Sequence, residues 1–436
     1  MSFAKSSTRR SSFLFVLGLI LAATAAVVID GGWRYQLRTV QATLALSGVE
    51  IPIAQPVGFA PANQAAAQRA WAFFETHTQP ETGWVNSAGD FPSTTLWDQG
   101  SYVLALIAAR RLEIIPPTEF EARVTRLLDG FDSLALFDNK LPNKAYDTRS
   151  LVMVDYANTP VADGIGWSAL DIARMLVAFR VLEKHFPEYG ARIRATVARW
   201  DLAAMASQGE LWGAERVDGT IHYTQEGRLG YEQYGARAAA MWGLDVSQAM
   251  SARRALDWTS VQGIEVPTDA RHASAFGAIT PILSEPYFLM ALELGLDSEN
   301  RLMAERVFRA QLRRFEETGL LTMVSEDHID QAPHFLYNSV FANGTPWGVV
   351  TETGAFHPEL RTISTKAAMA WDALYDTAYT DRVRAKLADV GDPTRGWPAG
   401  LYEADGAVND IYTLNTNAVV LEAMHFAAFG PLWQTR

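Results

Sequence analysis

The chain of 436 residues contains no cysteine, which excludes disulfides, thiolate metal sites and a thiol nucleophile together. It has no G-x-S-x-G nucleophile elbow, and no HExxH or other zinc spacing among its eight histidines. A phosphate-binding glycine loop, a dinucleotide glycine motif and the D-x-D-D aspartates of terpene cyclases are missing too. Positive charge is scarce: 37 Lys and Arg stand against 49 Asp and Glu, a formal net charge of −12. Such a balance supplies no basic face for nucleic acid or an anionic membrane surface. It also disfavours a uronate polymer and leaves a neutral polysaccharide or small molecule as the better fit.

What is present is apolar and aromatic. Hydrophobic residues make up 49% and charged residues 20%, the balance of a packed globular protein. Thirteen Trp, fourteen Tyr and twenty-one Phe supply either a helical core or flat faces for sugar rings. At the N-terminus, Lys5, Arg9 and Arg10 precede an apolar run from Phe13 to Ile29. That length lies between a signal-peptide core and a short spanning helix, and Ala23-Thr24-Ala25 offers a cleavage site. Residues 1–30 are therefore expected to direct export to the periplasm or beyond, or to anchor the chain in the inner membrane. Residues 31–61 read as a linker.

From residue 62 to 436 an amphipathic helix, a long loop and a more apolar helix recur. The apolar helices open at TTLWDQGSY, GWSALDIARML, GYEQYGARAAAMWG, LSEPYFLMALELG, STKAAMAW and NTNAVVLEAMHF. Amphipathic partners are expected near residues 62–77, 118–131, 187–200, 247–258, 299–315 and 379–390. Six such pairs predict an all-α fold, the (α/α)6 barrel, with six inner and six outer helices. Every loop entering an inner helix then lies on one end of the barrel. Those loops are the long ones, 77–96, 133–167, 201–230, 258–284, 318–364 and 391–415, and a working cleft is expected among them.

Several carboxylates map to that end. Asp98 and Asp171 follow Thr95 and Ser168 by three residues, as in a capping arrangement. Glu226 precedes a helix and serves no apolar period, whereas Glu232 in its first turn also suits the helix dipole. Glu326, Asp327, His328 and Asp330 crowd one loop without the spacing of an EF-hand calcium site. Glu403 and Asp410 lie in the last loop. Trp84, Trp97, Trp167, Trp212, Trp347, Trp397, Tyr402 and Tyr412 are candidate stacking platforms. Carboxylates in excess, with aromatics, suit glycoside hydrolysis, where one acid protonates the leaving oxygen and a second carboxylate activates water.

TLWDQGSY, GWSALDIARML, EGRLGYEQYGA, SEPYFLMALELG, VSEDHID, STKAAMAW and NTNAVVLEA together resemble the bacterial family known as domain of unknown function 3131. The resemblance runs from about Trp84 to Leu421. The architecture it implies is similar to the (α/α)6 inverting glycoside hydrolases that cut β-1,2-glucans, and more distantly to glucoamylase-like proteins. No residue role transfers with it.

The reading that results is an exported hydrolase of a neutral β-glucan, with β-1,2-glucan the first choice. Glu226 is expected as general acid and Glu326 or Asp327 as base. Asp98, Asp171, Glu232 and Glu403 are expected to grip sugars, with Trp97, Trp167, Tyr231, Tyr234 and Tyr337 packed around them. No cofactor and no metal is expected. One alternative is a non-catalytic polysaccharide-binding subunit beside a membrane synthase. A second is a polysaccharide lyase using Tyr337 or Tyr146 with His328 or His334.

Overall fold

The computed structural model describes residues 51–271 and 279–434. The expected export segment, Phe13–Ile29, lies outside the described residues. Among the described residues no helix is long and apolar enough to cross a membrane.

Eleven α-helices are described: α1 (Pro61–His77), α2 (Leu96–Arg111), α3 (Pro117–Ser133), α4 (Ala169–His185), α5 (Gly190–Val197), α6 (Tyr231–Ala240), α7 (Glu285–Leu289), α8 (Ser298–Thr318), α9 (Thr365–Tyr375), α10 (Ala378–Leu387) and α11 (Leu414–Phe429). Their starts follow capping rules. The side chains of Thr95, Ser168 and Thr413 accept hydrogen bonds from the amides of Asp98, Asp171 and Thr416, each satisfying one orphan donor of the first turn. Proline opens α1 and α3, where its missing N–H costs nothing.

Six helices are inner. Helix α2 packs between α4 and α11, α4 against α6, and α9 between α7 and α11. Tyr234 of α6 hydrogen-bonds Glu293 just beyond α7, which closes the ring. These helices are buried on nearly every side. From Leu104 to Ala109, six consecutive residues of α2 have no exposed surface, and each Leu or Ile so placed contributes roughly 1.5–3 kcal/mol. Helix α7 continues as a five-residue π turn, Met290–Leu294, and ends at Gly295 with φ +80°. Outside the ring, α1 packs on α11, α3 on α2, α5 on α4, α8 on α7 and α10 on α9.

Two expectations need correction. The outer helix expected over 247–258 is a 3-10 turn, Ala252–Arg254, followed by a hairpin of Leu256–Val261 and Ile264–Asp269 that packs on α8. Trp258 and Thr259 suit a strand, and one 3-10 turn covers Ala252, so no helix is needed to complete the wall. The fold is also not all-α. Seven small antiparallel sheets are described, and all of them lie in the connections leading into inner helices. The barrel is helical and its working end is strand-rich.

Candidate functional site

At the loop end, the first turns of the inner helices and the strands beside them bring carboxylates into two groups. The first comprises Asp98, Asp171 and Glu226. Glu226 does not serve the helix that follows it. It caps a neighbour: Oε2 accepts from the amide of Ala169 at 2.6 Å and Oε1 from Ser168 Oγ at 2.6 Å, at the start of α4. A helix N-terminus favours negative charge, so these donors oppose the burial that raises the Glu226 pKa.

Ser168 Oγ also lies 3.0 Å from Asp171 Oδ1. One hydroxyl proton cannot serve two carboxylates. With Ser168 donating to Glu226, Asp171 must bring its own proton. Burial first, and the charge of Glu226 second, push the Asp171 pKa up to about 8. Asp98 Oδ2 accepts from Ser87 Oγ at 2.5 Å and Thr95 Oγ1 at 3.1 Å, and its pKa is raised by burial.

The second group surrounds Lys366 of α9. Its ammonium pairs with Glu285 Oε2 and lies 3.4 Å from Asp327 Oδ1. Burial works against that charge, but Glu285, Asp327 and Glu326 outweigh it and hold the lysine above its ordinary value. Burial pushes Asp327 up to about 7, with Lys366 pulling the other way. Asp327 Oδ2 is buried without a hydrogen-bond partner. Glu326 accepts from the Tyr231 hydroxyl at the start of α6, and its burial raises its pKa. Asn415 Nδ2 donates to Glu285 Oε1 at 2.7 Å, and Ser101 Oγ reaches Asn415 Oδ1 at 3.3 Å. Helices α2, α6, α7, α9 and α11 are thus tied together across one floor.

Beneath the floor lies a buried network. Arg174 Nε donates to Ser101 Oγ at 2.8 Å, Nη1 pairs with Glu293 at 2.7 Å, and Nη2 pairs with Glu422 at 3.3 Å. Its guanidinium sits 4.7 Å from the Trp97 ring centre. Burial and the neighbouring Glu293 raise Glu422 well above the carboxylate range. One buried cation therefore sits between two buried acids, Glu293 and Glu422, and ties the inner helices that carry them.

The structure redistributes the expected residues. Glu226, Asp171 and Asp98 come together, as do Glu326 and Asp327 with Tyr231. Trp97 packs edge-on against Tyr231, with ring centres 5.4 Å apart. Tyr337 lies directly across the strand from Glu326, and burial raises it to about 12. The other four need correction. Trp167 and Tyr234 have no exposed surface and belong to the core. Glu232 is buried in an ion pair with Arg271 at 2.7 Å, which also holds Asp269. Glu403 is gripped by Arg314 and Arg361, which keep it below the ordinary carboxylate range despite burial. Of the wider set of stacking platforms, Trp84, Trp347, Trp397, Tyr402 and Tyr412 are also buried.

Among the lyase candidates, the Tyr146 hydroxyl is fixed to Ala135 O at 2.7 Å and its side chain is buried. His328 is held neutral by burial, which lowers it to about 4. Glu285, Lys366 and Asn415 are missing from the sequence expectations. A serine before each of Glu285 and Thr365 was the available signal, since both mark the first turn of an inner helix.

A ring of inner helices whose N-terminal ends carry two carboxylate groups defines a barrel with an acid-lined mouth. The chain belongs to the family described as protein of unknown function DUF3131, whose model matches residues 65–430. No curated protein matches it. Among solved structures it is similar to a proposed glucoamylase from Bacteroides fragilis, at 12% identity and a TM-score of 0.63, over 87% of this chain and 94% of the other. It is similar to an endo-β-1,2-glucanase from Chitinophaga pinensis, at 12% identity and TM-score 0.62, over 85% and 93%. A β-1,2-glucanase from Parabacteroides distasonis matches at 11% identity and TM-score 0.60, over 84% of this chain and 56% of the other. At these identities the likeness concerns the fold.

Proposed function

We propose that the protein is an inverting glycoside hydrolase of a neutral β-glucan, with β-1,2-glucan the first substrate to test. The observation that carries this reading is the presence, at one end of the barrel, of two separate carboxylate groups: Asp171 and Glu226 joined through Ser168, and Asp327 held against Lys366. Inversion needs one acid protonated and one base ionised, roughly 6.5–9.5 Å apart so that water fits between. In this reading the first group protonates the departing oxygen, with Asp171 the main seat of the proton and Glu226 fixing Ser168. Asp327, with Glu326 beside it, draws the proton from the attacking water, directly or through a sugar hydroxyl. Structural similarity to glucanases supports the choice of substrate by analogy. The basic residues ahead of Phe13–Ile29 support action outside the cytoplasm.

The test is release of reducing ends from β-1,2-, β-1,3- and β-1,4-glucans and from α-glucans by the purified protein, alongside Glu226→Gln. Release from one glucan, abolished in the variant, is the expected result. The second reading, a polysaccharide-binding subunit beside a membrane synthase, draws on Glu226 being engaged as the cap of α4. It is favoured if a glucan binds without release and Glu226→Gln leaves that binding unchanged.

A further inference from the structure

The tryptophans expected as sugar platforms are mostly core, yet the loop end does expose aromatic faces. Phe91 is 46% exposed, Tyr156 66% and Phe356 45%. Each stands on a turn whose polar groups are tied down. Asp155 Oδ1 accepts from the amides of Ala157 and Thr159, and Asn158 Nδ2 reaches Asp147, so the turn carrying Tyr156 is braced from both sides. Thr351 N donates to Ala355 O and Thr351 Oγ1 accepts from the Ala355 amide, bracing the turn before Phe356. Asn86 Nδ2 donates to Gly89 O, and the Gly89 amide to Tyr412 O, beside Phe91. Rigid turns that hold large apolar rings in water give up hydrophobic burial and lose no ordering entropy when a ligand covers them.

Each ring also belongs to one of the acids. Phe91 follows Ser87, the hydroxyl that holds Asp98, by four residues. Phe356 ends a row of directly opposed residues, Glu326–Tyr337–Val350–Phe356. Opposed residues share one face of a sheet, so three strand spacings place Phe356 roughly 14 Å from Glu326. The Tyr156 ring is exposed but its hydroxyl turns toward the acids: desolvation there first, then the charges of Asp171 and Glu226, raise it above the ordinary phenol value.

We infer that Phe91, Tyr156 and Phe356 are stacking platforms for a neutral polysaccharide chain that runs across the acid floor, so that the protein takes polymer rather than short oligosaccharide. This rests on the proposed reading of the site. The ligand chemistry follows from the surroundings. Aromatic faces suit the apolar faces of pyranose rings, while Glu215, Glu352 and Asp155 beside them repel an anionic polymer. Phe356, three strand spacings from Glu326, engages a chain longer than a trisaccharide held on the floor.

The test compares the full chain, purified in detergent, with the F91A/Y156A/F356A variant and with Phe429→Ala. Phe429 is 41% exposed at the opposite end of α11 and serves as control. Retention in gels containing β-1,2-glucan and binding of sophorotriose are measured together with Tm. Retention weakened about tenfold or more, well beyond any loss of sophorotriose binding, with Tm unchanged and the control like wild type, is expected. Equal retention of the triple variant, equal loss in Phe429→Ala, or no retention of wild type overturns the proposal. Loss of retention without any reducing-end release by wild type upholds the platforms and refutes the hydrolase. Release with unchanged retention does the reverse.

Discussion

Gly213 shows how closely one residue is fitted to the site. A Cβ placed there would lie 2.5 Å from Glu226 Oε2, so an alanine must push the carboxylate off the start of α4. Gly213→Ala is expected to lower kcat/KM about a hundredfold or more, the scale of disabling a general acid, because Asp171 then loses the Ser168–Glu226 arrangement beside it, while Tm changes little. Equal activity in a reducing-end assay would refute that link. Asp171 sets a pH signature. Its pKa rises in the fold from the ordinary 3.8 to about 8, so the folded chain retains a proton that the unfolded chain releases. Its contribution to stability therefore falls as pH rises from about 4 to about 8, and Asp171→Asn should flatten the decline of Tm over that range. In the proposed mechanism Asp171 acts protonated and Asp327, raised to about 7, ionised. The kcat/KM profile is expected to be bell-shaped, falling below about pH 7 and above about pH 8. Glu403 behaves differently, because it balances two arginines, Arg314 buried and Arg361 partly buried. Glu403→Ala is expected to destabilise by about 3 kcal/mol in urea unfolding, with turnover retained at low temperature.

At the scale of elements, the barrel was legible because its inner helices are apolar runs, five of the six opened by Ser or Thr and α6 by Gly230. The fourth outer helix was not. The segment 247–258 carries helix-forming Ala and Arg, but packing against α8 is satisfied by a hairpin, and tertiary context overrode propensity. Strands of two or three residues in the long loops leave no period to detect. The same limits governed the site. Asp98 and Asp171 were found by their capping distance from Thr95 and Ser168, and Glu226 because it preceded a helix and served no apolar period. Trp167 and Tyr234 were misplaced because an aromatic residue suits a core and a sugar face equally. Lys366 was overlooked as one charge in an apolar helix, yet it is the cation that makes three neighbouring acids tolerable. Lys366→Met should destabilise by about 3–5 kcal/mol, with the loss in Tm growing as pH rises and those acids ionise. A loss independent of pH would place the role of Lys366 in packing alone.

At the scale of the molecule, the barrel separates two uses of charge. Below the floor, Arg174, Glu293 and Glu422 neutralise one another in a dry interior and lock the inner helices together. At the mouth, a helix start favours the charge of Glu226 and an ammonium that of Asp327, while burial and Glu226 raise Asp171 to about 8. In the proposed mechanism that division keeps an acid and a base apart near neutral pH. The measurement that tests it most directly is proton NMR of the anomeric signals during digestion of β-1,2-glucan. The account expects new α-anomeric reducing ends first, followed by slow mutarotation, and none with Glu226→Gln. β-anomeric ends appearing first, or no new reducing ends at all, would contradict it.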